Sequence, residues 1–345
     1  MKRYRAAIIG LGFIGAADQV SGDALGQRVV DLDGTHLAAL EGNPRVELVA
    51  GSSRDEGRRQ RFQERTGCRT FADWRALLDN ERLDIVSIAT YAPTHAEIAV
   101  ACAERGVRAV YCEKPIATRL ADAERMLASC VKAGTLLVLN HNRRFNPNYR
   151  RLRDAVAAGM LGDLTSVNLQ WGTGRLGNVG THLIDAMLML TGRTVEAVSG
   201  ALDPAGKPDC RGAAFRDPGG WGLLRLEGGL MATVDAADMA RLPARITLNG
   251  TLGRASTGGM DVAIEFNDGR HESWPAPNDG KSSMDRAVAE IVAWLDGTDG
   301  TPFPYAAQAA VHTLETILAF HASHERQAAW VELPFTDKAR ELRSG

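Results

Sequence analysis

Tyr4-Arg-Ala-Ala-Ile-Ile-Gly10-Leu-Gly12-Phe13-Ile14-Gly15 is the stretch that decides the fold. Tyr4–Ile9 reads as a short, uniformly apolar strand, and the G-x-G-x-x-G behind it reads as the turn into a helix. Gly10 permits the tight turn, Gly12 lets the backbone approach a pyrophosphate, and Gly15 allows the helix to pack closely on the strand. Phe13 and Ile14 ride on the same loop and complete a candidate dinucleotide site. The following helix offers free N–H groups and a positive dipole end to phosphates. Met1–Arg5 ahead of the apolar run to Ala17 also has the outline of a secretion signal, but three glycines inside that run favour strand and loop.

Working outward, Val46–Gly51, Asp84–Ala89, Val107–Cys112 and Thr135–Asn140 are further short runs rich in Val, Ile and Leu. Uniform rather than alternating apolarity suits parallel strands covered on both faces. Helical stretches lie between them: one opens at Thr94 with Glu97 in capping-box spacing and stops at Gly106, and another runs from Thr118 to Ala133 before Gly134. Alternating strands and helices predict a doubly wound parallel sheet, an α/β domain over residues 1–142. Beyond Pro147 the texture changes. A helix to about Ala158 precedes strands and turns from Leu164 to about Trp274, with hairpin signals at Gly219-Gly220, Gly228-Gly229, Gly258-Gly259 and Asn267-Asp268-Gly269. One helix interrupts them from about Gly180 to Leu190, and two more, Ser282–Leu295 and about Tyr305–Gln327, close the chain. Residues 143–345 therefore read as an α+β domain with an open, mainly antiparallel sheet.

The composition agrees with two ordinary globular domains. At roughly 150 residues per domain, 345 residues suit two, and 45% hydrophobic with 24% charged residues exclude intrinsic disorder. Forty basic against 42 acidic residues leave a net charge of −2, which calls for neither nucleic acid nor an anionic membrane surface. No apolar run approaches the ~18 residues of a membrane span. The five cysteines include no C-x-x-C pair, so reduced thiols and a cytoplasmic location are expected.

The second strand ordinarily ends on an acid that binds the adenine ribose hydroxyls. Here it is followed by Ser52-Ser53-Arg54, and the segment before it is enlarged by the polar, glycine-rich stretch Asp18–Gly34. A carboxylate at that place would repel a 2′-phosphate, whereas Ser53 can donate a hydrogen bond and Arg54 a charge-assisted one. NADP is therefore expected in preference to NAD, with NAD possible; the alternative is that Ser53 merely caps a helix starting at Arg54.

Five further segments come in order: Thr90-Tyr-Ala-Pro-Thr-His95, Glu113-Lys114-Pro115, Asn142-Arg143-Arg144-Phe145-Asn146-Pro147, Gly177-Asn178-Val179-Gly180-Thr181-His182-Leu183-Ile184-Asp185, and Ser323 to Pro334. Together with the glycine loop they make nearly the whole chain resemble the Gfo/Idh/MocA oxidoreductases, the family of glucose–fructose oxidoreductase and inositol dehydrogenase. The resemblance implies hydride transfer between a nicotinamide and a secondary alcohol or ketone of a sugar or polyol. It implies a homodimer or homotetramer formed through the C-terminal sheet. It places Thr90, His95, Glu113 and Lys114 beside the cofactor, and Lys114, Arg143, Trp171, Asn178 and His182 at the substrate, with His141 as a further candidate for the same cleft. In that pattern His182 takes the hydroxyl proton, Lys114 bonds the same oxygen, and Asp185 holds one of them in place. The Lys114–Pro115 bond is expected to be cis, as in relatives.

Residue chemistry supports several of these positions. Glu113-Lys114-Pro115 follows a predicted strand directly, and ligands of open α/β sheets bind outside such strand ends. Asn178, His182 and Asp185 are spaced i, i+4 and i+7, one face of a helix or its leading turn, with Leu183, Ala186, Met187 and Leu190 turned inward. Many relatives carry Asp where this chain has Asn178, which can bond a hydroxyl but cannot take a proton. The bland readings are an N-cap for Asn178, a core histidine for His182 and a surface lysine for Lys114. Two other functions fit the same motifs: a non-catalytic nucleotide-binding regulator, and a redox-neutral enzyme that cleaves or epimerises glycosides with tightly held cofactor. No metal site is expected, since neither His182 with Asp185 nor His321 with His324 has a clustered third ligand.

Overall fold

The computed structural model describes residues 3–20, 28–29, 32–172, 174–206, 215–297 and 303–343. The chain divides into two compact units, one of residues 1–117, 121–142 and 281–308, the other of residues 118–120, 143–280 and 309–345. Part of the Asp18–Gly34 insertion and Cys210 lie outside the described residues.

The first unit runs β1 (Tyr4–Ile9), α1 (Phe13–Ala16), α2 (His36–Glu41), β2 (Val46–Ser52), α3 (Glu56–Thr66), β3 (Arg69–Phe71), α4 (Trp74–Asn80), β4 (Ile85–Ile88), α5 (His95–Glu104), β5 (Ala109–Cys112), α6 (Leu120–Ala133) and β6 (Leu136–Leu139). The six strands form one sheet in the order β3-β2-β1-β4-β5-β6, every pair parallel. All four residues of β4 and of β5 are buried, as the uniform apolar runs require of strands covered on both faces. β1 sits between β2 and β4, with Ile9 opposite Ser52 and Ile88.

Two local expectations fail, and one strand has no local signal. The helix after the glycine loop is a single turn, because Ala17 adopts a left-handed φ of 55° and ends it, so its dipole is that of four residues. Thr94 does not form a capping box: its hydroxyl donates to Tyr91 O (2.8 Å), and Glu97 pairs with Arg75. β3 is one exposed and two half-exposed residues with no apolar run to announce it.

The second unit contains α7 (Pro147–Ala157), β7 (Leu164–Gln170), a π-turn at Leu176–Gly180, α8 (Thr181–Thr191), β8 (Val195–Leu202), β9 (Gly220–Leu226), β10 (Met231–Ala236), β11 (Arg245–Gly250), β12 (Gly253–Thr257), β13 (Val262–Phe266) and β14 (His271–Trp274). After α9 (Ser283–Asp296) the chain closes with α10 (Gln308–Glu325) and β15 (Val331–Glu332). The nine strands run β14-β13-β12-β11-β7-β10-β9-β8-β15, antiparallel except for the β7–β10 pair. β10, β12 and β13 alternate buried and exposed residues, the pattern of a sheet with one covered face.

The sequence places α9 in the second domain, but it packs with the first unit. Its start carries a formed capping box between Ser282 and Asp285. Its inner face, Met284, Ala287, Val288, Ile291 and Leu295, is buried. Polar ties hold both ends: Ser283 N donates to Asp33 (2.8 Å), and Asp296 accepts from Arg45 (2.6 Å) and Tyr4 (2.5 Å). α10 is a core helix, with Leu314, Ile317, Leu318 and Phe320 all buried. No helix among the described residues is long and apolar enough to cross a membrane.

Candidate active site

In the first unit the strand order reverses between β1 and β4, and ligands of open α/β sheets bind in the crevice outside the strand ends at such a point. The glycine loop sits there. Gly10 has φ 104°, and a Cβ on it would overlap the Ala89 carbonyl at the end of β4. A Cβ on Gly15 would overlap the Gly10 carbonyl. The backbone cradle between these two strand ends is thus one that side chains at 10 and 15 would fill, so the loop fits a dinucleotide. Gly12 precedes α1, Phe13 is buried, and Ile14 is half-exposed on the turn.

At the end of β2, Ser53 is half-buried and its hydroxyl accepts from Asp55 N (3.2 Å). The helix cap is Asp55, not Ser53, and α3 starts at Glu56 rather than Arg54. Arg54 is exposed, and its guanidinium makes no hydrogen bond or ion pair among the described residues.

Glu113-Lys114-Pro115 follows β5, and the Lys114–Pro115 bond is cis. Glu113 is the hub of a buried network that the sequence does not announce. Its Oε1 lies 3.1 Å from His36 Nε2 and accepts from Asn140 Nδ2 (2.6 Å), and its Oε2 accepts from Lys114 N (3.3 Å). Tyr111 OH donates to Asn140 (2.7 Å), and His36 Nδ1 meets Ser87 Oγ. Burial alone would raise the Glu113 carboxyl. The His36 hydrogen bond and charge, the Lys114 charge and the Asn140 amide outweigh it and lower its pKa to about 2. Glu113 is therefore a buried anchor that fixes the backbone at Lys114. From Ala109 to Thr118 every residue is buried except Lys114.

His95, expected on the cofactor side as structure rather than as a base, is a structural brace. It is fully buried, with Nδ1 2.9 Å from Pro115 O and Nε2 3.0 Å from Thr90 O. The ring lies between the segments that follow β4 and β5, and burial pushes the pKa below the ordinary histidine value, toward the neutral form in which one ring N–H donates. The Thr90 and Thr94 hydroxyl oxygens lie 2.8 Å apart. His141 is buried and 3.1 Å from Tyr305 OH, which takes it out of a cleft lining.

In the second unit the segment Gly177–Asp185 folds as a π-turn running into α8. Val179 N and Gly180 N both donate to Arg175 O (2.8 and 3.1 Å). Asp217, a buried acid outside the expected set, accepts from Gly177 N (2.7 Å) and Asn178 N (2.8 Å). The extra residue of a π-turn shifts Asn178 off the single helical face expected for it with His182 and Asp185. Gly180, not Asn178, is the residue ahead of α8. From Thr181 to Leu190 every residue is buried except His182.

Asp185 is 0% exposed, and its carboxylate receives the side edge of Arg144, Nε to Oδ2 (2.7 Å) and Nη2 to Oδ1 (2.9 Å). The acid expected to orient Lys114 or His182 is thus half of a buried bidentate ion pair, and Arg144 is the partner that sequence reasoning missed. Trp171, expected at substrate, is 1% exposed and donates its indole N–H to Gly174 O (2.8 Å), so it supports the π-turn from inside. Arg143 is half-buried, with Nε 3.2 Å from Tyr149 OH. Among the described residues no group of three or more His, Cys, Asp or Glu side chains is placed to hold a metal.

Comparison with known proteins agrees with this geometry. Residues 4–141 match the family model described as an oxidoreductase family with an NAD-binding Rossmann fold, and residues 168–256 match the GFO/IDH/MocA C-terminal domain. The chain belongs to the Gfo/Idh/MocA oxidoreductase family. It is 33% identical to the D-apiose dehydrogenase of Paraburkholderia graminis over 163 residues, 47% of this chain and 38% of that protein. It is 34% identical to the myo-inositol 2-dehydrogenase of Thermotoga maritima over 116 residues, 33% of this chain and 34% of that one. The matches therefore span little more than a third of these relatives' length. The fold is that of an inositol dehydrogenase homolog from Azotobacter vinelandii solved with NADH and myo-inositol, at 18% identity, a TM-score of 0.79, and 96% and 98% of the two chains covered. Both halves of this Gfo/Idh/MocA chain thus carry the family's architecture, with an NAD-binding Rossmann domain first.

Proposed function

We propose that this chain is an NAD(P)-dependent oxidoreductase that moves a hydride between a nicotinamide and a secondary alcohol or ketone of a sugar, a polyol or a derivative of one. The observation that carries the proposal is a parallel between two segments: Lys114 in 109–118 and His182 in 181–190 are each the one residue left accessible in otherwise buried surroundings. Both side chains suit work on an alcohol oxygen. The named relatives act on sugars and polyols, which supports the substrate class.

The glycine loop, with Gly10, Gly12 and Gly15, would hold the pyrophosphate, and a bound nicotinamide supplies the hydride acceptor or donor. In the oxidation direction His182 takes the hydroxyl proton, a role that suits an imidazole. Lys114 donates to the same oxygen and stabilises the charge that develops there. Asn178 and Arg143 bond substrate hydroxyls. Asp185 acts through Arg144 as a positioning residue for α8.

Ser53 and the exposed Arg54 support NADP over NAD, because no carboxylate follows β2 directly and Arg54 has no competing partner among the described residues. The four described cysteines are free thiols, which suits the cytoplasm. Trp221, Leu223 and Trp330 expose apolar area on β9 and beside β15, which supports assembly through this sheet. The test is a panel of sugars and polyols assayed by reduced-nicotinamide absorbance with each nucleotide. Turnover is expected with a secondary alcohol of this class; nucleotide binding without turnover of any member would replace the enzyme with a regulator.

A further inference from the structure

The chain uses one edge of its arginines repeatedly. In Arg144, Arg61 and Arg254 the Nε and Nη2 groups, whose N–H bonds point the same way, grip the carboxylates of Asp185, Asp18 and Glu265 at 2.7–3.2 Å. Arg175 presents the same edge differently. Its Nε and Nη2 are buried and have no hydrogen bond, and its guanidinium makes no ion pair among the described residues. Buried polar groups are nearly always satisfied, and those of a cation most of all, so this pair of donors asks for a partner.

The backbone holds that edge in place. Arg175 has φ 64° and ψ 66°, a left-handed conformation that long side chains rarely adopt. Gly174 before it accepts the Trp171 indole N–H, and Arg175 O accepts from Val179 and Gly180. Leu176 N donates to Pro218 O (3.1 Å). The acids of the adjoining loops are turned onto backbone amides: Asp217 onto Gly177 and Asn178, Asp238 onto Gly219, and Asp203 onto Ala205 and Asp238. Arg175 is thus fixed at the head of the π-turn that carries Asn178 and leads to His182.

We propose that Arg175 determines specificity for an anionic substrate, and that its partner is the carboxylate of a sugar acid. Two parallel N–H groups match two carboxylate oxygens, and one guanidinium balances one negative charge; a phosphate ester shares the oxyanion chemistry and is the competing source. The proposal deepens the dehydrogenase reading and rests on it for the word substrate.

The test compares wild type, Arg175→Met and Arg175→Lys in the full chain, with aldonates and uronates, the matching neutral sugars, and sugar phosphates. Binding is read by calorimetry and thermal shift, and turnover by reduced-nicotinamide absorbance. Sugar acids are expected to raise the wild-type Tm where neutral sugars do not, and to be preferred in kcat/KM by ~10-fold or more. Arg175→Met should lose both effects, chiefly through KM, and Arg175→Lys should keep part of the binding. Without ligand, Arg175→Met should melt no lower than wild type, because it removes two buried N–H donors that lack a partner; a purely structural arginine would melt lower. Equal response to neutral and acidic sugars, an unchanged Arg175→Met, or a preference for phosphates over carboxylates overturns the proposal. If no compound is turned over but the Arg175-dependent shift by sugar acids remains, the dehydrogenase reading fails and the anion site stands. If neutral polyols are oxidised and the shift is absent, the reverse holds.

Discussion

Lys114 is held by its neighbour more than by itself. Glu113 places both carboxylate oxygens inside the unit, one on His36 and Asn140 and one on the Lys114 backbone N–H. Because its folded pKa lies below the unfolded value, the stability it contributes is fully present above about pH 4.5 and is lost as pH falls toward about 2. Denaturant titrations of wild type and Glu113→Gln should therefore show a stability difference that shrinks across that window; a difference flat with pH would contradict the network. Asp185 makes a second residue-scale prediction. As half of a buried bidentate pair, Asp185→Asn should lower stability by about 3–5 kcal/mol, visible as a drop in melting temperature whatever the assay finds. An Asp185→Asn protein that melts like wild type and loses only turnover would restore the acid to direct catalysis. The tripeptide and the position of Lys114 were legible from sequence. The inward turn of Glu113 was not, because its partners come from elsewhere in the chain, His36 from the start of α2 and Asn140 from the end of β6, and no local spacing reports them.

At the scale of elements, two short devices shape the site. The glycine loop was legible because Gly10 and Gly15 each have a local steric reason: Gly15→Ala would press a methyl on the Gly10 carbonyl. That variant should lose nucleotide binding, read by quenching of intrinsic fluorescence, and unchanged affinity would remove the loop from the site. The π-turn was not legible. Helical spacing placed Asn178 with His182 and Asp185, but the turn is set by Asp217, a residue from a distant loop that takes two of its amides. Asp217→Ala strands one buried and one part-buried N–H group, so about 1–3 kcal/mol of stability should go, with amide exchange of Gly177 and Asn178 speeding up before the rest of α8. The failed capping box at Thr94 has a similar origin, since its hydroxyl finds a carbonyl in the preceding turn instead.

For the whole molecule, alternation of uniformly buried with alternating strands was enough to read an α/β unit followed by an open, mainly antiparallel sheet. The return of α9 to the first unit was hidden, because its anchors Tyr4, Asp33 and Arg45 lie far off in sequence. The open sheet carries the prediction about assembly. Trp221 and Leu223 point the same way along β9, at 44% and 40% exposure. Charged replacements at both should shift sedimentation toward the monomer while leaving the fold intact, and an unchanged sedimentation profile would move the interface elsewhere. The central claim, that Lys114 and His182 act on the substrate oxygen, is tested most directly by kcat in Lys114→Met and His182→Asn with nucleotide affinity measured on the same samples. Each variant is expected to fall ~100-fold or more in kcat with nucleotide affinity preserved. Turnover near that of wild type in either one would contradict the account.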